Sequence, residues 1–210
     1  MQSDLLNSPQ GERLPMVDAD VLFWQHVDLG EDSAVLLQDL IENCAWRQDK
    51  ITVFGKTHLQ PRLSAWYGDE AYSYSGIRLE PQPWTSTLLR LRRCVENLVG
   101  EEFNSVLLNY YRNGDDRMGM HSDDEPELGS RPVIASLSLG ETRRLLFRHR
   151  GRKDLETVRL ALPDTSLLLM RGETQKNWRH GINAEKKAAG ERVNLTFRKL
   201  TPAARGHHRK

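Results

Sequence analysis

Seven short segments with the composition of β-strands follow one another along the second half of the chain. They are rich in β-branched, aromatic and leucine residues, and turn signals such as Asn113-Gly114 and Pro163-Asp164 separate them. Many short strands at this spacing predict a sandwich or a barrel, with a jelly roll among the options. The predicted strands span 103–111, 118–122, 132–139, 144–149, 157–162, 166–170 and 192–200.

Two amphipathic helices are predicted ahead of these strands. Asp32 and Ser33 can cap a helix over 34–46, where apolar residues recur at helical spacing. A second apolar stripe predicts a helix over 88–99, which Gly100 can end. A further β-like run covers 21–27, and residues 51–58 predict a short hairpin that turns near Gly55. Helices in this position would cover one face of a sheet.

The length of 210 residues fits one domain with a full hydrophobic core. We expect a flexible N-terminus over 1–16, a single domain over 17–200 and a basic tail over 201–210. No apolar run reaches the ~20 residues that a membrane-spanning helix needs, and no signal-peptide pattern opens the chain. We therefore expect an intracellular protein without membrane contact, cytoplasmic in a bacterium and nuclear in a eukaryote. We also expect a monomer. Cys44 and Cys94 are expected to be reduced thiols.

The net charge of +1 does not identify a partner, but the basic residues are clustered. Such clusters can follow a phosphate backbone or can form an ordinary solvated face, and the sequence leaves both interpretations open. The clusters comprise Arg90, Arg92 and Arg93, then Arg143, Arg144, Arg148, Arg150, Arg152 and Lys153, and finally the C-terminal tail.

A His-x-Asp pair, His121-Ser-Asp123, follows the strand-like segment 107–111 and a Gly-Asp loop. Residues two apart in an extended segment point to the same side, so His121 and Asp123 can aim an imidazole and a carboxylate at one point. His180 is the best candidate for a third ligand. Two histidines and one carboxylate on one face of a metal leave open positions, as in non-heme iron(II) oxygenases. A His-x-Asp pair alone is frequent by chance, and a solitary histidine is more often an ordinary hydrogen-bonded residue.

The last predicted strand alternates strictly between polar and apolar residues. Val193, Leu195 and Phe197 share one face, which belongs to a core. Two guanidinium groups on the other face could hold a small dicarboxylate, because guanidinium binds carboxylate bidentately. The alternative is an edge strand whose polar face meets water. The polar face consists of Arg192, Asn194, Thr196 and Arg198.

The order His-x-Asp, distant His and Arg-x-Asn-x-Thr-x-Arg resembles the AlkB family of nucleic-acid demethylases. Further motifs between about residues 51 and 200 resemble the DNA-repair branch of that family. These motifs are Val53-Phe-Gly-Lys, Pro61-Arg, Tyr67-Gly-Asp, Tyr72-Ser-Tyr-Ser-Gly76, Pro83-Trp84, Phe103-Asn-x-x-Leu-x-Asn-x-Tyr111, His121-x-Asp-Asp-Glu125 and Ser166-Leu-Leu-Leu-Met170.

The resemblance implies an α+β fold. This would be a double-stranded β-helix (jelly roll) over 103–200, with two N-terminal helices packed on one sheet and a nucleotide-recognition lid of hairpins over 50–83. It implies oxidative demethylation of bases such as 1-methyladenine and 3-methylcytosine in damaged DNA. Formaldehyde would be released, while 2-oxoglutarate and O2 are consumed and succinate is formed. Iron(II) would be held by His121, Asp123 and His180, and 2-oxoglutarate by Asn109, Tyr111, Arg192, Asn194, Thr196 and Arg198.

Further residues are expected to contact the nucleic acid. Tyrosine faces attract a cationic methylated base, and carboxylates next to the metal loop supply negative charge for it. Each of these residues has a plainer alternative in loop packing or solvation. Tyr72, Tyr74, Asp124 and Glu125 are the expected base pocket. Val53, Phe54, Gly55, Lys56 and Arg62 are expected at the DNA, with Phe54 as a wedge in the base stack or, alternatively, as a packing residue of the hairpin.

Three other functions stay open at this point. The same chemistry could act on RNA, which turnover of matched DNA and RNA oligonucleotides would reveal. A catalytically silent nucleic-acid-binding module would not consume 2-oxoglutarate. A jelly roll that holds zinc structurally would need a closed coordination shell, which two histidines and one carboxylate do not provide.

Overall fold

Two β-sheets lie face to face in the structure, a computed structural model that describes residues 11–53, 56–69, 72–74, 77–79, 81–188 and 190–201. Two separate hairpins accompany these sheets. The strands, numbered along the chain, are β1 (Glu12–Arg13), β2 (Asp20–Trp24), β3 (Lys50–Val53), β4 (Lys56–Leu59), β5 (Leu63–Gly68), β6 (Tyr72–Tyr74), β7 (Ile77–Leu79), β8 (Ser105–Tyr111), β9 (Met118–His121), β10 (Ile134–Gly140), β11 (Arg143–His149), β12 (Val158–Leu162), β13 (Leu167–Arg171), β14 (Trp178–Ile182) and β15 (Arg192–Arg198).

The major sheet has seven antiparallel strands in the order β1-β2-β13-β10-β15-β8-β5. The minor sheet has four, in the order β12-β11-β14-β9. The hairpins are β3–β4 and β6–β7. This arrangement confirms the predicted jelly roll with added hairpins.

Two helices, α1 (Ser33–Asn43) and α2 (Ser86–Val99), pack on the outer face of the major sheet. The Asp32 carboxylate caps α1 by accepting hydrogen bonds from two backbone N–H groups of the first turn. Gly100 ends α2 at φ 72°, in the left-handed region that glycine adopts without strain. Leu36 and Leu40 of α1 join Leu88, Leu91 and Val95 of α2 against the apolar side chains of the central strands. The predicted covering of one sheet face is therefore confirmed.

A second core fills the space between the two sheets. It combines Leu107 and Leu168 of the major sheet with Leu145, Phe147 and Ile182 of the minor sheet. Polar residues enter this layer from β15, so the apolar filling stops where the polar face of that strand begins. A short helix, α3 (Thr174–Asn177), precedes β14, and a 3₁₀ turn, Pro126–Leu128, follows the metal-ligand motif.

The structure corrects two parts of the predicted organisation. Residues 63–68, expected within the lid of hairpins over 50–83, instead form the edge strand β5 of the major sheet. Residues 178–182, not predicted as a strand, form β14, because this segment pairs with both β9 and β11. Cys44 and Cys94 are free thiols, as predicted. None of the helices in the described part of the chain is long and apolar enough to span a membrane.

Candidate active site

Two neighbouring strands of the minor sheet bring the predicted metal ligands together. His121 ends β9 and is the cross-strand partner of His180 in β14, and Asp123 follows two residues later. The strands approach closely because Gly181 has no side chain. A Cβ at that position would lie 2.9 Å from the carbonyl oxygens of both Met118 and Gly119. The register of β9 and β14 therefore places both imidazoles on the face that looks into the sandwich.

The three side chains form a cluster of metal-binding size. Their ligand atoms all lie within 4.8 Å of one another, and the two imidazole centroids are 4.4 Å apart. His121 Nδ1–H donates to the Gly119 carbonyl oxygen at 3.0 Å. This bond selects the tautomer whose Nε2 carries a free lone pair, which is the form that ligates a metal.

Asp123 is fully enclosed and held from two sides. Its backbone N–H donates to Gln175 Oε1 at 2.9 Å, and the Arg198 guanidinium donates to Oδ1. Oδ2 lies 3.5 Å from His180 Nε2 and accepts no hydrogen bond from the described residues. Burial raises the pKa of Asp123, but Arg198 and the two imidazoles outweigh it and hold this pKa at about 2. An anionic oxygen with an open lone pair is thus presented beside two imidazoles.

Both imidazoles are neutral at physiological pH. Burial and the neighbouring imidazole of His121 lower the pKa of His180 to about 3. Burial also lowers the pKa of His121, against the opposing effect of Asp123. Neutral imidazole is the ligating form, so the cluster is ready for a cation without prior loss of a proton.

The polar face of β15 lines the same cavity, as the alternation predicted. Asn194 donates to Ser136 Oγ at 2.8 Å and to the Leu137 carbonyl oxygen at 2.9 Å, and Thr196 donates to Asn194 Oδ1 at 3.1 Å. Across the sheet, Asn109 is the register partner of Asn194, and Tyr111 is that of Arg192. These neighbours hold the polar face in a defined geometry inside the protein, and it is not a solvated edge.

Arg192 is a buried cation with few partners. Its Nη2 donates to Ser138 Oγ at 3.0 Å, and its guanidinium carbon lies 5.1 Å from the centroid of the Tyr111 ring. Nε and Nη1 have no acceptor of normal hydrogen-bond geometry, and no carboxylate lies within ion-pair distance, among the described residues. Burial lowers the pKa of Arg192 to about 10. A buried guanidinium without an anion is costly, so this end of the cavity fits an anionic ligand.

The cavity between the sheets connects the metal-ligand cluster with the polar face of β15. It holds about 440 Å³ of empty space, including its open mouth. Apolar side chains of both sheets form the remaining wall and exclude water from the enclosed part. These are Met118, Leu145, Leu162, Leu168, Met170 and Ile182.

Arg62 does not lie where the sequence interpretation put it. It was expected at a DNA phosphate, but only 6% of its surface is exposed. Its Nε donates to Asn109 Oδ1 at 2.7 Å, and its charge lowers the pKa of His121. The carboxamide oxygen of Asn109 holds this guanidinium inside the protein, so Arg62 is a buried partner of Asn109 and neither residue lines the cavity itself.

Asp124 and Glu125 follow the metal-ligand motif at the surface. The Asp124 carboxylate is half-exposed and accepts from Arg150 Nη1 at 2.8 Å, so a cationic base would compete with Arg150 for it. Glu125 is partly buried and precedes the 3₁₀ turn. Tyr72 and Tyr74 lie in β6, and Val53 and Lys56 pair at the end of the β3–β4 hairpin. Phe54 and Gly55 lie outside the described residues.

Sequence reasoning missed two residues that support the site. Gln175, which is 1% exposed, bridges the Asp123 backbone and the Met170 sulfur. Arg143 was grouped with surface arginines but is also buried, and its guanidinium binds backbone carbonyls. Gln175 carries no motif, whereas Arg143 opens a strand whose next inward residues, Leu145 and Phe147, are apolar. That alternation was the available signal.

The chain is similar to known proteins over most of its length. Residues 25–198 match the 2OG-Fe(II) oxygenase superfamily. The "Alpha-ketoglutarate-dependent dioxygenase alkB homolog 3" of Bos taurus is 42% identical over 190 residues, covering 87% of this chain and 66% of that protein. The "DNA oxidative demethylase ALKBH2" of Mus musculus is 45% identical over 161 residues, covering 73% of this chain and 67% of that protein. The chain spans 63% to 66% of the length of the alkB homolog 3 proteins that it matches.

Solved structures are similar in fold. The structure titled "The structure of OsALKBH1" has a TM-score of 0.60 and 16% sequence identity, covering 89% of this chain and 99% of that chain. A 2OG-Fe(II) oxygenase family oxidoreductase from Burkholderia pseudomallei has a TM-score of 0.57, with 13% identity over 85% of this chain and 84% of that chain.

Proposed function

This chain belongs to the 2OG-Fe(II) oxygenase superfamily and, within it, to the AlkB family, and from that premise we propose that it demethylates alkylated bases in DNA oxidatively. The substrates are bases methylated on their pairing edge, of the 1-methyladenine and 3-methylcytosine type. Iron(II), with 2-oxoglutarate and O2, supplies the oxidising chemistry that turns the methyl group into formaldehyde.

One observation carries this proposal. An open cluster of two imidazoles and one carboxylate shares a single buried cavity with a guanidinium that has no carboxylate partner among the described residues. The first fits a divalent metal with vacant positions, and the second fits a carboxylate ligand. A structural zinc site would not need the second feature.

Different residues in and next to the cavity bind the two ends of 2-oxoglutarate. Arg192 and Tyr111 receive the distal carboxylate, and Arg198 with Asn194 lies at the metal-ligand end. The Asn109 side-chain oxygen accepts a hydrogen bond from Arg62, so the side-chain NH2 group of Asn109 is oriented to donate to a ligand. Thr196 orients Asn194 by donating to its carbonyl oxygen. The apolar wall excludes water, so these charged hydrogen bonds are formed in a low-dielectric site.

A nucleic-acid partner is supported by the outer face of the minor sheet. Arg148 and Arg179 are cross-strand partners there, and Arg159 lies on the same face of β12. All three are exposed, and none has an acidic partner in the part of the chain that the structure describes. Like charges directly opposite each other destabilise a sheet, so a polyanion bound on this face would relieve the repulsion. We name Arg148, Arg159 and Arg179 the arginine face.

The test is formaldehyde release from short oligonucleotides that carry one 1-methyladenine or 3-methylcytosine, in matched DNA and RNA. We expect turnover on DNA that requires iron(II) and 2-oxoglutarate. Asp123→Ala should abolish it and also reduce stoichiometric manganese(II) binding, while the fold is retained. Asp154→Asn, which alters an exposed carboxylate paired with Arg152, is the matched control.

Each alternative has its own outcome in this experiment. Faster turnover of the RNA oligonucleotide would replace DNA as the substrate. Oligonucleotide binding without any consumption of 2-oxoglutarate would support a silent binding module. Full manganese binding and turnover by Asp123→Ala would remove Asp123 from the metal site. Action as a monomer is tested by light scattering of the same preparation.

A further inference from the structure

Arg143 is a buried arginine that has no role in the functions assigned above. It begins β11, and 1% of its surface is exposed. Its side chain donates three hydrogen bonds, all to backbone carbonyl oxygens. These are Asn113 at 3.2 Å, Asp116 at 2.8 Å and Asn183 at 2.8 Å. No carboxylate lies within ion-pair distance of this guanidinium among the described residues.

Those three carbonyls belong to two segments that are distant in sequence. One is the β8–β9 loop, which leads from Tyr111 toward the metal-ligand motif, and the other follows β14 directly after the strand that carries His180. The segments touch at Gly114, where a Cβ would lie 2.0 Å from the Glu185 carbonyl oxygen. Arg143 therefore joins the β8–β9 loop to the segment that follows β14.

The same guanidinium lies against the Tyr111 ring, which lines the cavity next to Arg192. Its central carbon lies 5.5 Å from the centroid of the Tyr111 ring, and that of Arg192 lies 5.1 Å from the same centroid. Two buried cations thus contact one aromatic ring. The Asp116 carboxylate also attracts Arg143 electrostatically. That carboxylate is already bound by Arg112, which donates hydrogen bonds to both of its oxygens. This end of the cavity keeps a surplus of positive charge.

We propose that Arg143 is a positioning residue for 2-oxoglutarate, which fixes the Tyr111 ring and adds a second positive charge to the attraction of Arg192 for the distal carboxylate. This inference rests on the proposed function. In this role Arg143 does not touch the ligand. It acts by holding the Tyr111 ring and by the electrostatic attraction of its positive charge. A charge at about 10 Å, with an effective dielectric constant of about 20, changes the affinity for a carboxylate about tenfold.

A purely structural role and this electrostatic role differ in what they do to two ligands. 2-Oxovalerate has the chain length of 2-oxoglutarate but carries a methyl group in place of the distal carboxylate. A loosened cavity would bind both compounds more weakly. Loss of a positive charge at the distal end would weaken only 2-oxoglutarate.

The experiment measures both dissociation constants by calorimetry on the whole chain loaded with manganese(II) and kept free of oxygen, so that no turnover occurs. We expect Arg143→Gln, which is neutral but can still donate to carbonyls, to bind 2-oxoglutarate about tenfold more weakly, by the Coulomb estimate above, with 2-oxovalerate nearly unchanged. Arg143→Lys should keep most of the preference for 2-oxoglutarate. Arg144→Met, the exposed neighbour on the same strand, is the control and should bind both ligands as the wild type does.

The outcomes separate this inference from the function on which it rests. Equal weakening of both ligands in Arg143→Gln, or no weakening of either, would overturn the role of Arg143. Failure of the wild type to bind 2-oxoglutarate would instead overturn the proposed function. If Arg143→Gln does not fold, Arg143→Lys decides: a preserved preference for 2-oxoglutarate supports the electrostatic role, and a lost preference contradicts it.

Discussion

The Asp123 carboxylate has two oxygens with different tasks. Oδ1 accepts from Arg198, whereas Oδ2 faces His180 and accepts no hydrogen bond from the described residues. Arg198 therefore orients the carboxylate and also keeps it ionised. A buried carboxylate without this cation would tend to hold its proton, and a protonated acid is a poor metal ligand.

The neutral imidazoles make the metal-free protein sensitive to mild acid. The pKa of His180 is lowered from its ordinary 6.5 to about 3, mainly by burial. Below pH 6.5 the unfolded chain therefore takes up a proton that the folded chain does not. The free energy of unfolding should fall as the pH drops, by about 2 kcal/mol for this group between pH 6.5 and 5.

Denaturant unfolding of the metal-free protein at several pH values measures this effect. His180→Gln should reduce the slope of the free energy of unfolding against pH, and the buried His121 should account for a remaining part. His58→Gln, at an exposed histidine, should keep the wild-type slope. A wild-type slope equal to that of His180→Gln would show that His180 titrates normally in the folded chain.

At the scale of elements, the site depends on how closely β9 and β14 approach. Gly181 lacks the Cβ that would meet two carbonyl oxygens of β9, whereas a Cβ at Gly119 would meet nothing within 4 Å. Gly181→Ala should push the strands apart, lower the free energy of unfolding by about 1 to 3 kcal/mol and weaken manganese(II) binding. Gly119→Ala, in the paired strand, should change neither by more than about 0.5 kcal/mol. Calorimetry and thermal melts test both; normal metal binding by Gly181→Ala would contradict the argument.

The β3–β4 hairpin supports a prediction about access to a base in a duplex. The register pairs Val53 with Lys56, and the two residues between them, Phe54 and Gly55, lie outside the described part of the chain. If Phe54 stacks in the gap left by an extruded base, Phe54→Ala should weaken repair of duplex DNA about 5- to 150-fold. Repair of the same lesion in a short single strand should change little, because no base stack must be held open.

The wedge and packing roles of Phe54 differ in a second measurement. Equal losses on duplex and single-stranded substrates, together with a lower melting temperature, would identify Phe54 as a packing residue. The two substrates use one active site, so each serves as the control for the other.

For the whole molecule, the two faces of the minor sheet differ in composition and surroundings. The inner face carries His180 and the apolar wall of the cavity, and the outer face carries the three arginines of the arginine face. If the arginine face contacts phosphates, Arg148→Gln combined with Arg179→Gln should reduce the slope of log K against log salt for duplex DNA by about 2. The affinity should fall in a similar way for unmethylated DNA, because phosphate contacts carry no base specificity.

A matched pair controls for the loss of two positive charges. Arg13→Gln combined with Arg90→Gln removes arginines that are paired with Asp20 and Glu31, and it should leave the slope unchanged. An identical salt dependence in both double variants would show that the arginine face is an ordinary solvated surface. Thermal melts should show no loss of stability, since the Arg148–Arg179 pair is repulsive.

Periodicity in the sequence determined most of the strands, both helices and the polar face of β15. These features follow from local chemistry, because side chains alternate along a strand and recur every 3.6 residues on a helix. The order of His121, Asp123 and His180 with the Arg192–Arg198 motif was enough to indicate the family, which the comparisons confirmed. Roles of single residues in binding base and co-substrate stay predictions.

Only the tertiary structure decided which polar residues are buried and what they contact. Arg62 and Arg143 look like surface cations in the sequence, but both are buried, because Asn109 and the carbonyls of distant segments satisfy them. β14 has little strand character of its own and forms because β9 and β11 pair with it. Local propensity carries no information about partners that are 27 or 47 residues away along the chain, so these contacts could not be predicted from the sequence.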